Sequence, residues 1–492
     1  MNYFANIFKP LFEEKNGKVY SFSKFSGIDR TIVYKMLNGT REPTGIDVDY
    51  HIEDYLCLNN TERERLEEAY YITKLGAFQY FGHLEAKSFL LEFSMENKRP
   101  QVLFPYTTIQ MDDKEKRVLE GANNVNLGIE NLLSQESRAN PDTRILISEM
   151  LLDDMTLMIC SKLMEDNPDL NVTHIIMLDD NRESSIIEEH QFYNMRCLRK
   201  LLPVLVQFEN YDSRFCYNNI ASIENSPTFL TNIIIVNDYV ILYSKDRKYG
   251  VILHDAEMLA IYSDIMENFL KSSLQFASSL HYKEYCQELI QTEMYRAHRQ
   301  KSHAYAFHAG LSITLALDEH ETYSRDHIVD EFPEKNHFVE NCHQYISYYH
   351  DGYERIKDGI FELYTKQGID YFCRTGFISE LHPNICIPLR VSERIELLER
   401  WKTVIQTHEI YMIDFPEFSG DSTLSMFTTH TKTYLTIATP NGRLRQAVID
   451  ETSVTRVFFD YLDYLFQNKR VENEDAVAYL NGKIEELKLS LT

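Results

Sequence analysis

No stretch of 18 apolar residues occurs in this chain, so no segment reads as a membrane span. The opening MNYFANIFKPLF lacks the long apolar core and small-residue cleavage site of a secretory signal, and the expectation is a soluble, cytoplasmic protein with no membrane partner. Cysteine is sparse: Cys57, Cys160, Cys197, Cys216, Cys286, Cys342, Cys373 and Cys386 are dispersed with no C-x-x-C pair, so they read as reduced core residues without a metal or redox role. Phosphate-cradling glycine patterns are missing too. There is no G-x-x-x-x-G-K-[ST] and no G-x-G-x-x-G after a strand, which disfavours nucleotide-hydrolysing and dinucleotide-using enzymes. Positive charge is also short, with 50 Lys and Arg against 75 Asp and Glu, a formal net charge of -25. Such a chain, taken whole, is repelled by phosphate.

What is present begins with the exception to that charge balance. Residues 1 to 41 carry Lys9, Lys15, Lys18, Lys24, Arg30, Lys35 and Arg41 against Glu13, Glu14 and Asp29, which is 7 minus 3, or +4, leaving -25 minus 4, or -29, for the rest. A basic module on an acidic body suits a sequence-specific regulator that must not adhere to nucleic acid indiscriminately. Within it, YSFSKFSGIDRTIVYKMLNGTREP (20 to 43) reads as a short helix, a glycine-containing turn and a second helix. Phe22, Phe25 and Ile28 are the apolar positions of the first element, and Val33, Met36 and Leu37 fall at helical spacing in the second. Asp29 is placed to cap the second helix, Gly39 to stop it, and Pro43 follows. Asn2 to Glu14 predicts a first helix packing Phe4, Ile7, Leu11 and Phe12, and Asp47 to Leu58 a fourth. Thr61-Glu62-Arg63-Glu64 reads as a capping box opening a fifth, with Leu66, Tyr70 and Ile72 to Leu75 as its apolar surface.

On those residues, positions 4 to 76 resemble the Cro/repressor-type helix-turn-helix family, also called the XRE family. IDRTIVYKMLNGTREP is similar to its recognition helix and the Asn-Gly-x-Arg-x-Pro exit after it, while Ser21, Ser23 and Ser26 depart from the usual Ala, Glu and Gln of the preceding helix. The resemblance implies docking in the major groove of double-stranded DNA, with Arg30, Thr31, Tyr34 and Lys35 reaching base edges and Asn38, Thr40 and Arg41 holding phosphates. For Tyr34 and Lys35 the alternative is packing against the first helix and plain solvation. Two-fold operator geometry implies a homodimer.

With 492 residues, 58.0 kDa and 44% hydrophobic residues, the chain should be globular and multidomain. The expected division is an all-α helix-turn-helix domain (1–76), a helical connector (77–112), an α/β lobe (113–275), a helical middle (276–390) and a second α/β lobe (391–492). The connector is unusually apolar, through Phe78, Tyr80, Phe81, Leu84, Phe89, Leu90, Leu91 and Phe93, as a docking or dimer surface would be. In the first lobe a helix is expected over Lys114 to Ser134, then strand 143–150, helix 155–166, strand 172–178, a helix through Arg196 to Val206, two or three strands within 232–253 and a helix from about 256 to 275. A helix at 391–406 and a strand at 409–415 open the second lobe. Tyr239-Val-Ile-Leu-Tyr, with Asp255 and an apolar helix after it, has a counterpart in Tyr434-Leu-Thr-Ile-Ala with Asp450 and an aromatic helix. Two related lobes facing each other would frame a cleft for a small ligand.

Catalytic signals are thin. His281-x-Lys283-x-x-x-x-Glu288 resembles the H-x-K-x-x-x-x-D signature of phospholipase D-like phosphodiesterases, but the acid is Glu, the stretch reads as helix and no second copy occurs. His298, His303 and His308 recur every five residues, whereas helical metal pairs need three or four. No catalytic residue, metal ligand or cofactor is therefore assigned, and an enzyme is not expected. The leading expectation is a sequence-specific DNA-binding transcriptional regulator whose large body senses a small-molecule or peptide effector or drives oligomerisation. A protein-interaction or phage-related regulator, whose body binds a partner protein, and a phosphodiesterase-like enzyme with an accessory DNA-binding module stand as the alternatives.

Overall fold

In the computed structural model the described residues are 2–43, 46–92, 116–140, 142–180, 192–225, 229–280, 303–310, 327–330, 335–336, 339–340, 359–378, 384, 386–438 and 444–491. The chain separates into two compact units, Met1–Ala86 and Lys87–Thr492.

The first unit is helical: α1 (Tyr3–Glu14), α2 (Val19–Ser26), α3 (Arg30–Leu37), α4 (Ile46–Leu56) and α5 (Asn60–Leu75), followed by α6 (Ala77–Glu92), which runs into the second unit. Phe4, Phe8, Leu11 and Phe12 place one face of α1 in the core, where Phe22 of α2, Val33, Met36 and Leu37 of α3, Ile52 and Leu56 of α4, and Leu66 and Tyr70 of α5 meet it. Phe8 joins the residues expected from the sequence, Ile7 is only partly buried, and Phe25 is not core at all, being 55% exposed with its ring 5.6 Å from that of Tyr55. The cap of α5 lies two residues earlier than expected. Asn59 accepts from the Glu62 amide at 2.9 Å while Glu62 accepts from the Asn59 amide at 2.9 Å, so the reciprocal box is Asn59/Glu62.

In the second unit the described strands form one 14-stranded sheet in the order β1-β7-β6-β5-β2-β3-β4-β8-β14-β13-β12-β9-β10-β11. Strands β2 (Arg144–Glu149), β3 (Asn171–Asp179) and β4 (Tyr211–Asn218) are mutually parallel, joined by α8 (Asp154–Asp166) and α9 (Tyr193–Gln207). After the short α10 (Ile220–Asn225), an antiparallel meander, β5 (Asn232–Val236), β6 (Tyr239–Tyr243) and β7 (Tyr249–Leu253), extends from the β2 side and is followed by α11 (Ala256–Ser272). The far half repeats the arrangement. There β9 (Ala304–His308), β10 (Ile360–Thr365) and β11 (Ile410–Ile413) are parallel, β12 (Leu424–Thr428), β13 (Thr433–Ala438) and β14 (Leu444–Ile449) form the meander from the β9 side, and α14 (Thr452–Asn468) follows. The order β7-β6-β5-β2-β3-β4 thus recurs as β14-β13-β12-β9-β10-β11, with β8 (Leu274–Leu280) hydrogen-bonded to β4 on one side and β14 on the other. Helices α12 (Lys366–Thr375), α13 (Val391–Thr407) and α15 (Asn473–Leu489) enclose a second apolar cluster around the fully buried Trp401.

Three expectations are corrected. The described strands of the two halves are not two separate facing sheets; they are joined edge to edge through β8. The described part of 276–390 is not a helical middle, because β8, β9 and β10 lie in it. Residues 116–120 form β1 rather than the start of a helix, and α7 runs from Ala122 to Ala139. KRVLE has little strand propensity of its own, and its pairing along β7, Val118 opposite Val251, supplies the conformation. No described helix is long and apolar enough to cross a membrane.

Candidate nucleic-acid interface

Helices α2 and α3 are joined by Gly27, Ile28 and Asp29. Gly27 closes α2 with φ of 75°, a left-handed conformation that a side chain disfavours. Two of the three serines of α2, Ser23 and Ser26, secure this turn. Ser23 Oγ donates to the Ile28 carbonyl at 2.5 Å, while Ser26 Oγ donates to the Phe22 carbonyl at 2.8 Å and accepts from the Ile28 amide at 3.2 Å. Asp29 caps α3 by accepting from the Thr31 amide at 2.8 Å, and its hydrogen bonds to Thr31 hold its carboxyl below the ordinary aspartate range. At the other end the Gly39 amide donates to Met36 O at 3.1 Å and the Thr40 amide to Lys35 O at 2.9 Å, the paired bonds of a Schellman exit, with Gly39 at φ of 66°.

Between these fixed ends α3 buries Val33, Met36 and Leu37 and leaves Arg30, Thr31, Tyr34 and Lys35 exposed. Asn38, Thr40 and Arg41 are exposed just beyond it, so all seven sequence-assigned residues are solvent-accessible. Tyr34, for which packing on α1 was the alternative, is 56% exposed. Thr31 is partly committed to the cap, and the Thr40 hydroxyl donates to Lys35 O at 3.2 Å. Sequence reading missed Tyr20, on the first turn of α2, which is 63% exposed and lies under the Arg30 guanidinium with 5.2 Å between its ring centroid and Arg30 Cζ. Lys24 lies four residues on from Tyr20 along α2 and is also exposed. Arginine, lysine and tyrosine held on one short, doubly capped scaffold can offer bidentate hydrogen bonds, point charges and apolar ring faces to a polyanion.

The second unit contains buried charge that the sequence did not reveal. Glu149, at the end of β2, is fully buried and accepts hydrogen bonds from Tyr243 Oη at 2.5 Å, Arg247 at 3.3 Å and the Thr156 hydroxyl. His174 Nε2 of β3 lies 3.2 Å from its second carboxylate oxygen, and His174 Nδ1 meets Tyr211 Oη at 2.7 Å. Arg247 also donates to Asp153 at 3.0 Å and Asn126 at 2.9 Å. Burial pushes the Glu149 carboxyl up, but His174, Arg247 and Thr156 outweigh it and hold it below the ordinary value. These groups form one buried hydrogen-bonded network that spans β2, β3, β6 and the turn after β6. In the far half His308 Nε2 of β9 lies 3.7 Å from Glu362 of β10, and its ring stacks on Tyr364 at 4.7 Å. His303 is exposed, whereas His281, Lys283, Glu288 and His298 lie outside the described residues. No group of metal-ligating side chains occurs among the described residues. Burial pushes the Cys197 and Cys373 thiols up to about 12 and the Cys160 thiol higher still, which leaves all three as unreactive core groups at neutral pH.

No family model matches the chain. No curated protein matches it either. Among solved structures it is similar to TrmBL2, an archaeal chromatin protein, at 10% identity and a TM-score of 0.22, covering 52% of this chain and 87% of that one. It is also similar to polyphosphate kinase from Porphyromonas gingivalis (10%, TM-score 0.21, 75% and 56%) and to phosphatidylserine synthase from Haemophilus influenzae Rd KW20 (10%, TM-score 0.23, 77% and 92%).

Proposed function

We propose that α2 and α3 form a helix-turn-helix of the XRE type and that the protein is a sequence-specific, double-stranded DNA-binding transcriptional regulator acting as a homodimer. The observation that carries this reading is the exposed face of α3: Arg30, Thr31, Tyr34 and Lys35 all face solvent between a capped start and a Schellman exit, on a chain otherwise strongly acidic. A recognition helix needs such a rigid, basic, unobstructed face to enter the major groove, about 12 Å wide. Arg30 is the candidate for a bidentate guanine contact, and Asn38, Thr40 and Arg41 hold phosphates. The repeated six-strand order in the second unit supports reading it as two related α/β copies that serve effector sensing or oligomerisation.

The test is recovery of genomic fragments by the full-length protein at about 150 mM salt, a regime in which phosphate contacts alone bind weakly. A short, roughly palindromic site should be enriched by the wild type and lost with Arg30→Ala/Lys35→Ala. Equal, unselective recovery by both proteins would overturn the reading.

A further inference from the structure

We propose that Tyr20 is a specificity-determining positioning residue, its ring serving as the platform that holds the Arg30 guanidinium in a fixed plane for base recognition. The inference rests on the DNA-binding reading and adds a residue from the other helix of the pair. Arg30 is the first residue of α3 and is exposed, and an arginine so placed has several rotatable bonds to order on binding. Its acidic neighbour Asp29 directs its carboxylate to the Thr31 amide, 2.8 Å away. The partner that the structure gives the guanidinium is the Tyr20 ring, 5.2 Å from centroid to Cζ. Tyr20 reaches that place because the turn is rigid: Ser23 and Ser26 tie the end of α2 to Ile28, and Tyr55 Oη accepts from the Lys18 amide and donates to the Lys18 carbonyl, both at 3.3 Å, at its start. The face of an aromatic ring attracts a cation and leaves the in-plane N–H donors free, which is the geometry a bidentate acceptor such as guanine O6 and N7 requires.

The experiment measures affinity of full-length Tyr20→Phe, Tyr20→Leu and Arg30→Ala, and the Tyr20→Leu/Arg30→Ala double variant, for the enriched duplex and a scrambled duplex across a salt series. Tyr20→Phe keeps the ring and should bind like the wild type. Tyr20→Leu should weaken the specific duplex about 3- to 30-fold, the span of a cation–π contact from exposed to desolvated, with the scrambled duplex and the salt slope unchanged. That loss should vanish in the Arg30→Ala background. Loss of affinity in Tyr20→Phe equal to that in Tyr20→Leu would mean that the hydroxyl contacts DNA directly, and additive effects of Tyr20→Leu and Arg30→Ala would mean independent contacts; either overturns the proposal. If Arg30→Ala itself leaves specific binding intact, the underlying DNA-reading assignment fails instead, so the two failures are distinguishable.

Discussion

Arg247 is buried, with its guanidinium among Glu149, Asp153, Asn126, Thr156 and the Tyr243 ring, 4.9 Å from centroid to Cζ. It reaches them from a backbone at φ of 56°, a conformation a non-glycine residue adopts only when its surroundings hold it there. Replacing Arg247 by Met would leave the Glu149 carboxylate buried without its cation, and the expected loss is about 3–5 kcal/mol in denaturant unfolding. Glu149 also sets an acid limit. Its folded pKa lies below the ordinary glutamate value, so its contribution is complete above about pH 4.3 and is lost as the pH falls through the lower folded value. Stability measured from pH 7 down to 3 should therefore fall less steeply in Glu149→Gln than in the wild type. Parallel curves would show that this carboxylate does not govern the acid response.

At the scale of elements, the α3 exit depends on Gly39. Its φ of 66° lets the Thr40 amide reach Lys35 O, and Gly39→Ala should cost about 1 kcal/mol of thermal stability, visible as a lowered helical melting transition. Elements with their own local punctuation could be read directly: Asp29 and Gly39 mark α3, and the Ile-Val-Leu runs of β5, β6 and β7 announce strands. Where tertiary contact decides, the sequence misled. LQFASSL has one Ala and two Ser, AYAFH has two Ala, and each is held as a strand by a neighbour on both sides, β4 and β14 for the first and β10 and β12 for the second. The candidate interface was legible in α3, because helical spacing divides buried Val33 and Met36 from exposed Arg30 and Tyr34. Tyr20 was not, since its position under Arg30 depends on how two helices cross. Glu149 and Arg247, 98 positions apart, were likewise invisible as a pair.

Across the second unit, the repeat reaches down to single side chains. In β2 and β3, Glu149 lies two residues beyond Ile147, the partner of His174; in β9 and β10, His308 lies two beyond Ala306, the partner of Glu362. The same register positions hold Glu and His in one half and His and Glu in the other, an exchange that keeps an acid beside an imidazole. Because β8 bonds both halves into one sheet, damage in the first half should be felt in the second. Trp401, the one tryptophan of the chain, lies in the far half's core and reports on it by fluorescence. Arg247→Met should lower the Trp401 unfolding midpoint together with the circular-dichroism midpoint. An unchanged Trp401 transition would mean that the halves unfold independently.

The central claim is that the exposed face of α3 reads base edges, and it is tested most directly by pairing a protein side chain with a DNA atom. Each guanine of the enriched site is replaced in turn by 7-deazaguanine, which lacks the N7 acceptor, and affinities are measured for wild type and Arg30→Ala. The account predicts one position per half-site where the replacement weakens wild-type binding by about 1–3 kcal/mol and has no further effect in Arg30→Ala. Replacement effects that are the same in both proteins at every position would contradict it.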